Sequence, residues 1–187
     1  MGLREAKRYI TELRKKQGNP FLWPDFLTGL PDKAAVIEKT TEIYPKLGKY
    51  SISYLRIANI DPYLIKYGSD RHAEIIQWAA ALLKTTAEKY DCFVGAYDTH
   101  DFVSICEKSK ARDFLRESSQ LFDRKIKTFY SREDLGRESF MSFAREGKKV
   151  DIGFMRLVGY TVDEPTGISK DRLLPYMCKL CKEQELP

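Results

Sequence analysis

The chain predicts a mixed sheet covered by helices, an α+β or α/β domain, on three observations. Segment 93–105, FVGAYDTHDFVSI, reads as a strand, a tight acidic turn and a second strand. Segment 50–60, YSISYLRIANI, is dense in β-branched and aromatic residues and reads as another strand. Helical and strand patterns then alternate irregularly, with neighbouring strands joined by hairpins. A chain of 187 residues with 43% hydrophobic content can bury a sizeable core, as one domain plus an appendage.

Each element has its own signal. Residues 2–17 form a charged helix whose Leu3, Ala6, Ile10 and Leu13 follow heptad spacing over about two heptads. Gly18, Asn19 and Pro20 break it. After LWPDFLTGLPDK, Pro31 suits the first position of a helix over roughly 32–44. Beyond the 50–60 strand, Asp61 and Pro62 supply a cap and a first helical residue for a short helix ending at Gly68. A longer amphipathic helix over about 70–89 buries Ile75, Ile76, Ala79, Leu82 and Leu83. The hairpin follows, then a helix over about 109–129. ESFMSFAR and VDIGFMRLVGY read as two strands joined by the turn EGKK, and a last helix spans about 169–183 with Pro175 inside it.

Composition excludes several classes. The net charge of +5 comes from 32 basic and 27 acidic residues that interleave, a solvated mixed surface with no nucleic-acid stripe. No apolar run spans a bilayer and no signal peptide opens the chain, so a cytoplasmic location without membrane contact is expected. Cys92, Cys106, Cys178 and Cys181 are expected as free thiols of a reducing compartment, with no zinc site.

DFLTGLPDK resembles the opening D-x-L-T-G-L-P-N-R motif of GGDEF domains, the bacterial diguanylate cyclase family. The stretch through Tyr67 and Gly68 resembles its D-x-D-x-F-K-x-x-N-D-x-Y-G-H segment, and FVGAYDTHDFVSI resembles its signature hairpin. The resemblance covers residues 25 to about 183, which sets a connector helix at 1–20 and a degenerate GGDEF domain at 21–187. It implies a central, mostly antiparallel five-stranded sheet wrapped by helices, with a small extra hairpin. It also implies an ancestral reaction in which two facing domains, each holding GTP and magnesium, make cyclic di-GMP.

Position by position, the family's functional residues are missing. Its strand aspartates fall at Arg56 and Ala58, and arginine is a cation that cannot ligate magnesium. Its guanine-reading Asn-Asp pair falls at Leu64 and Ile65, which cannot hydrogen-bond a base. GGDEF becomes Asp98-Thr99-His100-Asp101-Phe102, so two glycines are lost and only Asp101 keeps a carboxylate in its place. The R-x-x-D product-inhibition motif becomes KYDC, with Lys89 kept and Asp91 displaced by one. Lys179 and Lys182 sit where relatives place phosphate-binding lysines. His100 reads as a solvated turn residue and His72 as a helix-surface one.

The resemblance thus implies a catalytically inactive module with no cofactor or metal. Its expected partners are other domains of a longer signalling protein or a GGDEF/EAL protein, with weak homodimerisation through residues 1–17. A nucleotide or cyclic di-GMP receptor and a cyclase with a remodelled site are the alternatives. Arg56 is expected to pair with Asp98 or Asp101, a pair that would contribute little to stability if partly exposed.

Overall fold

The computed structural model describes residues 25–143 and 149–184. The expected connector helix lies outside them. Helix α1 (Lys33–Ile43) starts at Asp32, whose carboxylate accepts from the Ala35 N–H at 3.0 Å. Pro31 therefore precedes the cap; it is not the first helical residue. A 3₁₀ turn leads to β1 (Tyr50–Ala58), then to α2 (Ile60–Tyr67) and α3 (Ser69–Tyr90). Strands β2 (Phe93–Asp98) and β3 (Asp101–Glu107) form the hairpin. They are followed by α4 (Lys108–Ile126), a 3₁₀ turn over Lys127–Phe129 and the short α5 (Arg132–Arg137). Then come β4 (Ser139–Phe143), β5 (Lys149–Gly153), β6 (Arg156–Val162) and α6 (Lys170–Glu183).

The central sheet has the order β2-β3-β1-β6, and each neighbouring pair is antiparallel. Among the described residues it has four strands, not five. The difference arises where VDIGFMRLVGY, read as one strand, splits. Lys149–Gly153 pairs with β4 as a separate two-stranded sheet, while Arg156–Val162 pairs with β1. The break falls at Phe154 and Met155, where the Tyr130 hydroxyl accepts the Met155 N–H at 2.8 Å and the two rings of Tyr130 and Phe154 lie 4.4 Å apart.

Both sheet faces are covered. Ile52, Tyr54, Val103 and Val158 pack with Leu173, Met177 and Cys181 of α6 and with Val36 of α1. Leu55, Ile57 and Phe102 pack on the opposite face with Ile75, Ile76 and Leu83 of α3 and Phe114 and Phe122 of α4. This alternation follows from the period of two along a strand.

Asp61 is not the cap of α2. Asn59, in a left-handed conformation, holds that place, and Asp61 and Pro62 lie inside the first turn. A proline there loses only an N–H that the helix leaves unbonded anyway. The cysteines also depart from expectation. Cys92 and Cys106 form a disulfide at the open end of the hairpin, while Cys178 and Cys181 are free. Among the described residues, no helix is long and apolar enough to cross a membrane.

Candidate functional site

The C-terminal end of β1 runs beside the hairpin tip. Register places Arg56 directly across from Asp101, and the Ile57 N–H bonds the His100 carbonyl at 3.1 Å. Arg56 shares a strand face with Tyr54, so its guanidinium lies over the same cross-strand neighbours. One Arg56 nitrogen donates to both Asp101 oxygens, at 2.7 and 2.9 Å, and the Tyr54 hydroxyl donates to the second oxygen at 2.8 Å. The side chains of Arg56 and Asp101 are only 7% and 3% exposed. The pairing is present with Asp101, and it is buried. Asp98 instead caps its own turn, accepting from the Thr99 N–H at 2.8 Å.

The hairpin loop is just Thr99 and His100, and neither adopts a positive φ. A β-bulge between Ala96 and Asp98 absorbs the misfit between such a turn and the strand twist. Ala58 is fully buried in the core beneath α6, Leu64 is half-buried and Ile65 is exposed on α2. None of the three carries a group that reads a base.

The start of α2 follows β1 immediately, so it too opens near this tip. A helix N-terminus attracts phosphate through its free N–H groups. Here the first turn carries the Asp61 carboxylate and Pro62, which has no N–H. The Asp61 charge there repels an anion, and Pro62 removes one of the N–H donors.

Lys89, in the KYDC segment, is engaged by a carboxylate. Lys89 bonds both oxygens of Glu117, at 2.9 and 2.7 Å, and the Tyr90 hydroxyl donates to Glu117 at 2.6 Å. These bonds hold the Glu117 carboxyl below its ordinary range. Lys179 points into solvent, 3.9 Å from Glu183, and Lys182 is exposed.

His100 is half-buried, and its Nε2 has no hydrogen-bond partner among the described residues. His100 is thus not the solvated residue expected, while His72 is half-buried on α3. Burial, then the nearby His100, lowers the His72 pKa below its ordinary value, against a smaller opposing effect of Asp61.

Three contributors were missed by sequence reading. Tyr54 braces Asp101, and burial followed by the Asp101 charge raises its phenol pKa. Cys181 donates to the Tyr54 carbonyl at 3.6 Å; burial and the charges of Asp101 and Cys178 push its thiol up to about 12. Asp134, fully buried, accepts from Lys66 at 2.6 and 2.8 Å and from Tyr67, tying the segment before β4 to α2. Period-two spacing of Tyr54 and Arg56 was the one signal available for the first of these.

The donor set does not fit magnesium. A divalent cation needs several oxygen ligands free to bind it. Here a cation already occupies the one carboxylate that remains, in a buried and fully bonded arrangement. What the geometry can do is hold the hairpin tip against β1.

No family model matches this sequence, and none of the curated proteins matches it. Solved structures do match. The GGDEF domain of DgcB from Caulobacter crescentus, in complex with c-di-GMP, aligns with a TM-score of 0.60 at 15% identity, over 87% of this chain and 90% of that one. The diguanylate cyclase SiaD from Pseudomonas aeruginosa, in complex with its activator SiaC, gives 0.62 at 12% identity. That match covers 97% of this chain and 65% of SiaD. The FimX GGDEF domain from Pseudomonas aeruginosa gives 0.57 at 11%, over 87% and 93%. The chain therefore has the fold of a GGDEF domain, an α+β domain with an antiparallel sheet flanked by helices.

Proposed function

We propose that this chain is a GGDEF-type domain without cyclase activity, acting as a regulatory or protein-interaction module in cyclic di-GMP-type signalling. One observation carries the reading: the buried Arg56 guanidinium bonded to Asp101. A positive charge stands where the ancestral reaction needs carboxylates for magnesium, and it engages the surviving acid. Leu64 and Ile65 add the loss of base recognition, and Asp61 with Pro62 adds an unfavourable place for phosphate.

A module of this kind acts through partners: other domains of the same signalling protein or a GGDEF/EAL protein. SiaD, one of the similar structures, is in complex with a protein activator, a partnership of the same kind.

Isothermal titration with GTP and with cyclic di-GMP in magnesium, alongside chromatography of products, tests the proposal. Neither saturable binding nor conversion is expected. Magnesium-dependent formation of cyclic di-GMP that Asp101→Asn abolishes would overturn it. Arg56→Asp alone is expected to leave the chain inactive, since the base-reading residues and the glycine turn remain absent.

A further inference from the structure

The central sheet has two edges, β2 and β6, and they differ. Along β2 the chain itself approaches: the Ala96 N–H bonds the Pro31 carbonyl at 2.8 Å. Along β6 the edge is open.

Register tells which groups face outward there. The Ile57 N–H bonds the His100 carbonyl on the β3 side, so the alternate residues Tyr54, Arg56 and Ala58 direct their backbone groups to β6. Their partners Tyr160, Val158 and Arg156 are bonded inward. Leu157, Gly159 and Thr161 therefore send their N–H and carbonyl groups away from the sheet. Among the described residues, none of these groups bonds another element. Gly159 has no side chain, so its exposure is exposure of backbone, and Thr161 is exposed as well. Such a row of free donors and acceptors is a template for one more strand.

The side chains along the edge say which strand fits. Tyr160 lies on the α6 face, and its ring meets that of Tyr176, 40% exposed, edge-on at 6.3 Å. Arg156 shares that face of the strand. It is exposed, its Nη2 donates to the Gln184 carbonyl at 2.5 Å, and it has no ion pair among the described residues. Asp123 on α4 feels its charge but makes no ion pair with it. Just past the other end of β6, Lys108 stands against two carboxylates, Asp163 and Glu164, which leaves that end acidic.

A strand lying antiparallel on β6 sets one residue across from Tyr160, on the two tyrosine rings, and the fourth residue after it across from Arg156. The first position calls for an apolar side chain and the second for a carboxylate. A cation at the start of the strand meets Asp163 and Glu164. A second copy laid antiparallel about Gly159 does not supply this, because Val162 falls opposite Arg156.

We propose that the open edge of β6 is the docking surface for an extended segment of a partner protein, one with an apolar residue and, four positions later, a carboxylate. The proposal rests on the reading of this chain as a protein-interaction module and gives that module its surface.

The probe is the end-blocked heptapeptide Lys-Thr-Val-Thr-Val-Thr-Glu, titrated into the full chain and followed by amide chemical shifts. Saturable binding in roughly the millimolar range is expected, because a short flexible segment is ordered as it binds. The shifts are expected to centre on β6 and Tyr176. Methylating the backbone nitrogen of the central threonine, which faces Gly159, is expected to weaken binding about tenfold. Methylating that of the next valine, which points away from β6, is expected to change binding less than about twofold. Arg156→Glu is expected to weaken binding about threefold and to favour, by a similar factor, the peptide that ends in lysine. That gain also shows that the variant is folded. Absence of saturable shifts, shifts centred away from β6, equal loss from the two methylations, or an unchanged ranking of the two peptides with Arg156→Glu would each overturn the proposal. So would β6 shifts on dilution of the chain alone, which assign the edge to a second copy. Formation of cyclic di-GMP would overturn the inactive reading and leave the peptide titration unaffected, so the two fail separately.

Discussion

Arg56 and Asp101 are each buried only because the other is there. Taking one charge away strands its partner out of water, which typically costs about 3–5 kcal/mol. Arg56→Met is expected to lose stability in that range by urea denaturation, even with the Tyr54 hydroxyl still bonded to Asp101. The double variant Arg56→Met with Asp101→Leu is expected to recover most of the loss, since hydrophobic replacement of a whole buried pair is often near neutral. A single variant costing less than about 1 kcal/mol would mean that water reaches the site. His72 makes a second residue-level prediction. Its pKa is lowered in the fold, so the folded state binds its proton less readily than the unfolded chain does. The resulting stability is full above the ordinary value of 6.5 and is lost as pH falls below it. His72→Gln is expected to flatten that part of the profile of urea midpoint against pH. An unchanged slope below pH 6.5 would assign the acid sensitivity to other groups.

At the level of elements, the hairpin is pinned at both ends: Arg56–Asp101 at the tip and Cys92–Cys106 at the base. The disulfide closes 14 residues, and a loop of about that length gains up to ~3 kcal/mol from restricting the unfolded chain. Reducing agent is expected to lower the urea midpoint of the native chain and leave a Cys92→Ala, Cys106→Ala variant unmoved. Equal midpoints with and without reductant in the native chain would show that the bridge adds nothing. The pairing was not legible in the sequence for a definite reason. With an unbulged two-residue turn Cys92 would face Glu107; the one-residue shift between Ala96 and Asp98 brings Cys106 there instead. The strand split at Phe154 was hidden in the same way, because it depends on Tyr130 some 25 residues upstream. By contrast, β1, the hairpin and α3 were legible from local periodicity and the tight turn. Arg56 meeting the hairpin tip was legible too, but not its choice of Asp101 over Asp98, which the β1–β3 register decides. The charge at Lys89 was visible, but not its partner, since Glu117 comes from another helix.

For the whole molecule, the open question is assembly. The cyclase reaction that the sequence resemblance implies needs two domains facing each other, whereas the inactive module proposed above has no such requirement. The described surface offers little to hold a second copy. Its large exposed apolar side chains sit on separate elements: Phe26 in the leading loop, Ile37 on α1, Ile65 on α2, Leu135 on α5, Met141 on β4 and Tyr176 on α6. Single exposed apolar residues are ordinary on a monomer, and stable dimers bury roughly 800 Å² per partner. The heptad seam of Leu3, Ala6, Ile10 and Leu13 covers about two heptads, and isolated helices of that length are marginal. Sedimentation velocity of residues 1–187 is therefore expected to give a monomer, or a weak dimer that dissociates on dilution. Deleting residues 1–17 is expected to remove any such association and leave the thermal midpoint of the domain unchanged. A tight dimer that survives the deletion would place the interface on the domain itself, and would reopen the case for a facing pair of sites.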